Sequence, residues 1–192
     1  MSGRRPPALL AVGLAALAVA AVAASGAAEA ARPSAVSREL DRAQTLLLVR
    51  LATLPPGSGV LILRDAEGLT LRIPARLLFA YDSAVLKREP QAAAPLAATE
   101  QLLRKHRALQ AEIVVYTDSI GGVSANQSLS DQRAQAVYAA LRAAGIAANR
   151  LQQHGAGAAT MVVGNQTPTG RIENRRVEIE FRRAARAPPG GR

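Results

Sequence analysis

Between residues 59 and 182 the spacing of apolar side chains repeatedly changes period, and most of the changes fall at a proline or a glycine. A helix repeats every 3.6 residues, whereas a strand alternates or runs continuously apolar, so such a chain must interleave strands with helices. Residues 59–64 and 69–73 flank the polar connection Asp65-Ala66-Glu67-Gly68 and predict a hairpin, followed by a turn at Pro74. Residues 77–81 end in a turn at Asp82-Ser83, and Pro90 and Pro95 bracket the start of a helix running to about His106. Residues 111–116 hold Ile113, Val114 and Val115 and read as a buried strand. Over 128–144, Leu129, Ala134, Val137, Tyr138 and Leu141 share one helical face, with Gly145 where a left-handed C-cap is wanted. A short strand over 150–154, a Gly/Ala/Asn/Pro-rich loop and the alternating strand 177–181 complete the pattern. The expected fold class is α+β, a mixed sheet with helices packed on one face.

Two segments precede this domain. Leu40, Ala43, Leu47, Leu51 and Leu54 recur every three or four residues and predict a short amphipathic helix over 37–54, stopped by Pro55-Pro56-Gly57. Before it, Arg4-Arg5, an apolar run over 8–24 and a set of small residues read as an export signal. Ala28-Glu29-Ala30 fits a cleavage site, as does Ala21-Val22-Ala23, and the alternative is an uncleaved anchor helix, since a span needs about 20 apolar residues. The chain thus divides into a signal peptide (1–30), a helical segment and linker (31–58), the main domain (59–182) and a basic tail (183–192) expected to be disordered.

Composition narrows the chemistry. The chain has no Cys, which excludes disulfides, thiolate metal sites, Cys nucleophiles and a lipidated N-terminal Cys. It carries 24 Lys and Arg against 14 Asp and Glu, and without residues 1–30 the balance is 22 − 13 = +9, so a polyanionic partner is expected. Nucleic acid is disfavoured by the export signal and by the lack of a basic-aromatic motif among three Tyr and two Phe. His106 and His154 are isolated, and no cluster shows metal-ligand spacing, so no metal or cofactor is expected. A wall hydrolase would need paired carboxylates or an activated nucleophile, and neither has a visible partner, so no enzymatic activity is expected.

The strand 111–116 runs into Thr117-Asp118-Ser119-Ile120-Gly121-Gly122, and the following helix carries Arg133. A carboxylate and a guanidinium on adjacent elements, at the end of a strand where α/β architectures place ligands, suit a zwitterion. The other reading is a structural salt bridge between them. Three motifs, Thr117-Asp118, Asn126-Gln127-Ser128-Leu129-Ser130-Asp131-Gln132-Arg133-Ala134 and Asn174-Arg175-Arg176-Val177-Glu178-Ile179, occur in order, with Asp118 and Arg133 fifteen positions apart. In these the chain resembles the OmpA-like domains over about residues 60–182.

That resemblance implies a βαβαββ mixed sheet that holds the peptide stem of peptidoglycan at its diaminopimelate residue, linking wall to envelope in the periplasm, with the outer membrane and envelope proteins as further partners. It implies Asp118 on the ligand ammonium and Arg133 on its carboxylate, with Thr117 and Asn126 beside them. Asn126 is also a good N-cap, and Thr117 an ordinary strand-end residue. Phe79-Ala80-Tyr81-Asp82-Ser83 resembles the family's first-strand motif, but Ala80 stands where many members carry Asp or Asn; Asp82 is the substitute, or simply a turn residue. Arg175 and Arg176 resemble the closing motif and are expected to brace the sheet and the Asp118 loop. If residues 1–30 stay attached, the same domain becomes an inner-membrane tether to the wall, as in flagellar stators.

Overall fold

The computed structural model describes residues 34–184; the predicted signal peptide and nearly all of the predicted tail lie outside them. Five strands form one open sheet in the order β1-β2-β5-β3-β4. The hairpin is β1 (Leu61–Arg64) and β2 (Gly68–Pro74), and β5 (Arg176–Arg183) lies antiparallel between β2 and β3 (Leu109–Tyr116). β4 (Leu151–Gly157) is parallel to β3, which requires a crossover, and the helix α4 (Val123–Ala143) makes it. β5 extends through Arg183, paired with Leu109, so that residue belongs to the sheet and not to a tail.

Register sorts the two faces. Leu71, Ile179 and Ile113 form one cross-strand row and Ile73, Val177 and Val115 the next, all fully buried. Onto these rows pack Leu102 and Leu103 of α3 (Pro90–Lys105) and Ala134, Val137 and Leu141 of α4. Each buried Leu, Ile or Val there contributes about 1.5–3 kcal/mol by leaving water. α1 (Ala35–Leu51) joins the same core through Leu40, Ala43 and Leu47, and Ser34 caps it by accepting the Ser37 N–H at 3.0 Å. Arg64 of β1 reaches Asp41 of α1 at 2.6 Å, so the helix read as a separate N-terminal segment is packed into the domain. Among the described residues no helix is long and apolar enough to cross a membrane.

Three local readings change. Residues 79–81 are not a strand: after the short helix α2 (Ala75–Leu78), Phe79 makes a single bridge to Leu86. Both sides of β2 are already taken by β1 and β5, and the segment instead reverses at Asp82, whose φ of 50° lies in the left-handed region. α4 begins at Val123, five residues before the predicted start, with Gly122 as N-cap. Its far end is as expected, with Gly145 at φ 87° and the Ile146 N–H on the Leu141 carbonyl at 3.1 Å. β4 runs on to Gly157 because α4 lies against it: the Gly155 N–H donates to Asp131 Oδ1 at 2.8 Å and the Gly157 N–H to Ser130 Oγ at 3.0 Å. A Cβ at Gly155 would overlap the backbone of Asp131.

Candidate ligand-binding site

At the carboxyl end of β3 the chain leaves the sheet with the Thr117 N–H on the Gly157 carbonyl at 2.7 Å. Asp118 follows, 5% exposed, and turns the chain by accepting the Ile120 N–H on Oδ1 at 2.9 Å. Its other oxygen accepts from Arg175 at 2.8 Å. Sheet register explains that pair: Arg176 opposes Tyr116 across β5 and β3, so Arg175 and the residues just after Tyr116 are neighbours. The pairing that the sequence suggested between Asp118 and Arg133 is not made; Arg175 holds Asp118.

Arg133 lies in the third turn of α4 and is 4% exposed. Its Nε donates to the Ser83 carbonyl at 2.8 Å and one terminal nitrogen to Ala80 at 3.4 Å, while its carbon sits 5.2 Å from the centre of the Phe79 ring. The 79–83 turn thus serves Arg133 through backbone carbonyls, a role to which the identity of residue 80 is indifferent. Burial weighs against the charged form of Arg133, Asp82 opposes that effect, and Arg175 adds to it.

Asn126 is not the cap of α4. It sits in the first turn, where its Nδ2 donates to the carbonyls of Ile120 at 3.0 Å and Asp118 at 3.3 Å, holding the loop in place. Thr117, Asp118, Asn126, Arg133 and Asp82 nevertheless line one cavity of about 390 Å³, together with Tyr81, Ile120, Leu129, Arg171 and Arg175. The Thr117 hydroxyl there is buried without a hydrogen-bond partner among the described residues. Arg176 is elsewhere: 2% exposed, it pairs with Glu178 at 2.9 Å and lies 3.7 Å over the Tyr116 ring.

Sequence reasoning missed Arg171, because the short helix α5 (Pro168–Asn174) was read as loop. Its signal is Thr167-Pro168, a capping residue followed by proline at the first helical position, and Thr167 Oγ1 does accept the Gly170 N–H at 3.0 Å. Asn174, fully buried at the end of α5, accepts from Val162 at 3.0 Å and donates to the Val163 carbonyl at 3.0 Å, which holds the preceding loop against the site. Among the described residues no group of His, Asp and Glu could hold a metal ion.

The fold is a mixed sheet with a charged cavity at the end of β3, and residues 78–175, just over half of the chain, match the OmpA family. The chain belongs to that family. It is 37% identical over 123 residues to YiaD of Escherichia coli (strain K12), an alignment covering 64% of this chain and 55% of that protein. Among solved structures it resembles a MotB-like protein from Desulfovibrio vulgaris, with a TM-score of 0.65 and 27% identity over 77% of this chain and 91% of that one. It also resembles the cell wall anchor of the type VI secretion system from Pseudomonas aeruginosa, with a TM-score of 0.58 and 26% identity over 80% and 99% of the two chains. The chain spans about half the length of the curated relatives it matches.

Proposed function

We propose that this protein binds peptidoglycan non-covalently, its pocket taking the diaminopimelate of the stem peptide, and that it joins the wall to the envelope in the periplasm after export. The observation that carries this reading is the convergence of Asp118, Arg133 and the unpartnered Thr117 hydroxyl in one cavity, from the end of β3 and from α4. An amino-acid head group presents an ammonium and a carboxylate a few ångströms apart, and it needs one acceptor and one donor that do not neutralise each other. Asp118 and Arg133 meet that condition, each being oriented by other groups: Asp118 by Arg175 and the Ile120 N–H, Arg133 by the Ser83 carbonyl. The wall-anchor role of the Pseudomonas aeruginosa structure supports the same reading.

Co-sedimentation with diaminopimelate-containing sacculi tests it. Asp118→Ala and Arg133→Ala should each weaken binding by about 2–4 kcal/mol, a thirty- to several-hundred-fold loss. The double variant should lose little more than either single one, since both residues read one ligand. Wild-type sedimentation by both variants, folded by circular dichroism, would sink the assignment. N-terminal sequencing of the envelope-fraction protein separates the two attachments: a start near Ala31 means a released protein, and a start at Met1 or Ser2 a membrane-anchored tether.

A further inference from the structure

The pocket is not balanced by its own charges. The guanidiniums of Arg133, Arg171 and Arg175 line it, against the carboxylates of Asp82 and Asp118. The pair between Arg175 and Asp118 is closed at 2.8 Å, and Asp82 lines the same cavity as Arg133. Arg171 has no carboxylate partner among the described residues. It lies one helical turn before Arg175, whose N–H donates to the Arg171 carbonyl at 3.1 Å, so the two side chains project from the same side of α5. One terminal nitrogen of Arg171 donates to the carbonyls of Asn165 at 3.2 Å and Gln166 at 3.3 Å. These contacts fix the guanidinium at the pocket without supplying a countercharge. Like charges four residues apart repel, and a ligand head with one ammonium and one carboxylate would leave that excess unrelieved.

We infer that Arg171 reads a second carboxylate of the ligand, separate from the one held by Arg133, so that the pocket distinguishes stem peptides by which carboxylates are free and which amidated. The inference rests on the peptidoglycan reading above. Two carboxylates have the required chemistry: the α-carboxylate of the γ-linked glutamate preceding diaminopimelate, and the carboxyl terminus of the stem. A planar guanidinium suits either as a bidentate partner.

The test is a titration of the purified protein with three synthetic diaminopimelate stem tetrapeptides: one fully free, one amidated at the glutamate α-carboxylate, one amidated at the C-terminus. Amidation at one position should weaken binding about tenfold, the worth of a charge-assisted hydrogen bond, and identify the source, while amidation at the other should matter little. Arg171→Gln should erase that difference, binding all three as the wild type binds the disfavoured amide, and Arg171→Lys should restore part of it. Equal binding of the three peptides by the wild type overturns the inference, as does a preference that survives in Arg171→Gln. The wild-type comparison decides the matter even if Arg171→Gln does not fold. A wild type that binds none of them overturns the peptidoglycan reading itself, whereas binding without discrimination overturns only the role of Arg171.

Discussion

Two arginine-rich regions of this domain, each drawing an arginine from the segment 171–176, are built on opposite principles. Across β2 and β5, Arg72 and Arg176 share one carboxylate, Glu178, at 2.8 and 2.9 Å, and Arg176 adds the Thr160 carbonyl at 3.1 Å and the Tyr116 ring. Its polar valences are met from within. At the end of β3, Arg133 and Arg171 are held by backbone carbonyls, and Thr117 buries a hydroxyl that has no partner among the described residues. The difference teaches that a basic chain can hold an arginine in two ways: the first kind is closed by carboxylates of its own protein, and the second is oriented by backbone carbonyls.

The largest effect expected from this contrast is on stability. Arg176→Ala leaves the buried Glu178 with Arg72 alone and removes the hydrogen bonds to Glu178 and the Thr160 carbonyl, and should cost about 1.5–3 kcal/mol in urea denaturation, the usual worth of a hydrogen bond to a charged group. What remains folded should bind sacculi normally. Loss of binding in folded Arg176→Ala would erase the distinction between the two regions, just as normal binding by Asp118→Ala or Arg133→Ala would.

Thr117→Val sharpens the same comparison at smaller scale. It removes a buried hydroxyl that the protein does not satisfy, so stability in urea should be unchanged or higher, whereas binding should fall about two- to tenfold, the net worth of one hydrogen bond. A loss of stability with unchanged binding would place that hydroxyl with the structural groups.

The smallest effect concerns His106, a second buried side chain, whose Nε2 has no hydrogen-bond partner among the described residues and which does not line the pocket. Burial holds its pKa below the ordinary 6.5, Glu39 opposes that shift, and Lys105 and Arg42 reinforce it. The unfolded chain therefore takes up the proton first. The neutral ring's contribution is complete above about pH 6.5 and is lost as pH falls from there through the lower folded value. Urea midpoints measured from pH 7.5 to 5 should fall more for the wild type than for His106→Gln, with sacculus binding at pH 7 alike in both.

Much of the fold was legible because it rests on local pattern. The hairpin, β3, α4 with its Gly145 cap, and β5 each announce themselves in a short window through period and punctuation. What failed to show did so for physical reasons. Phe79 and Tyr81 have strand-like character, but a strand needs a free sheet edge, and β2 had none to offer. The start of α4 lies in Val123–Gln127, a polar stretch without an apolar stripe, and it is held by Gln127 Nε2 donating to the Gly155 carbonyl at 2.7 Å, a contact 28 residues distant. α5 is too short for period to register.

By itself the sequence determined the α+β class, the order of most elements, and the presence of Asp118, Arg133, Thr117 and Asn126 around the end of one strand, because residue type and near-neighbour spacing specify those. Tertiary structure alone decided how the charges pair. That Asp118 takes Arg175 instead of Arg133 follows from β5 lying beside β3, 57 residues away in the chain. That Arg133 is aimed by the Ser83 and Ala80 carbonyls follows from where the 79–83 turn is folded. Ion pairing depends on distances of a few ångströms between residues remote in sequence, and strand order, set by long-range hydrophobic packing, is what fixes those distances.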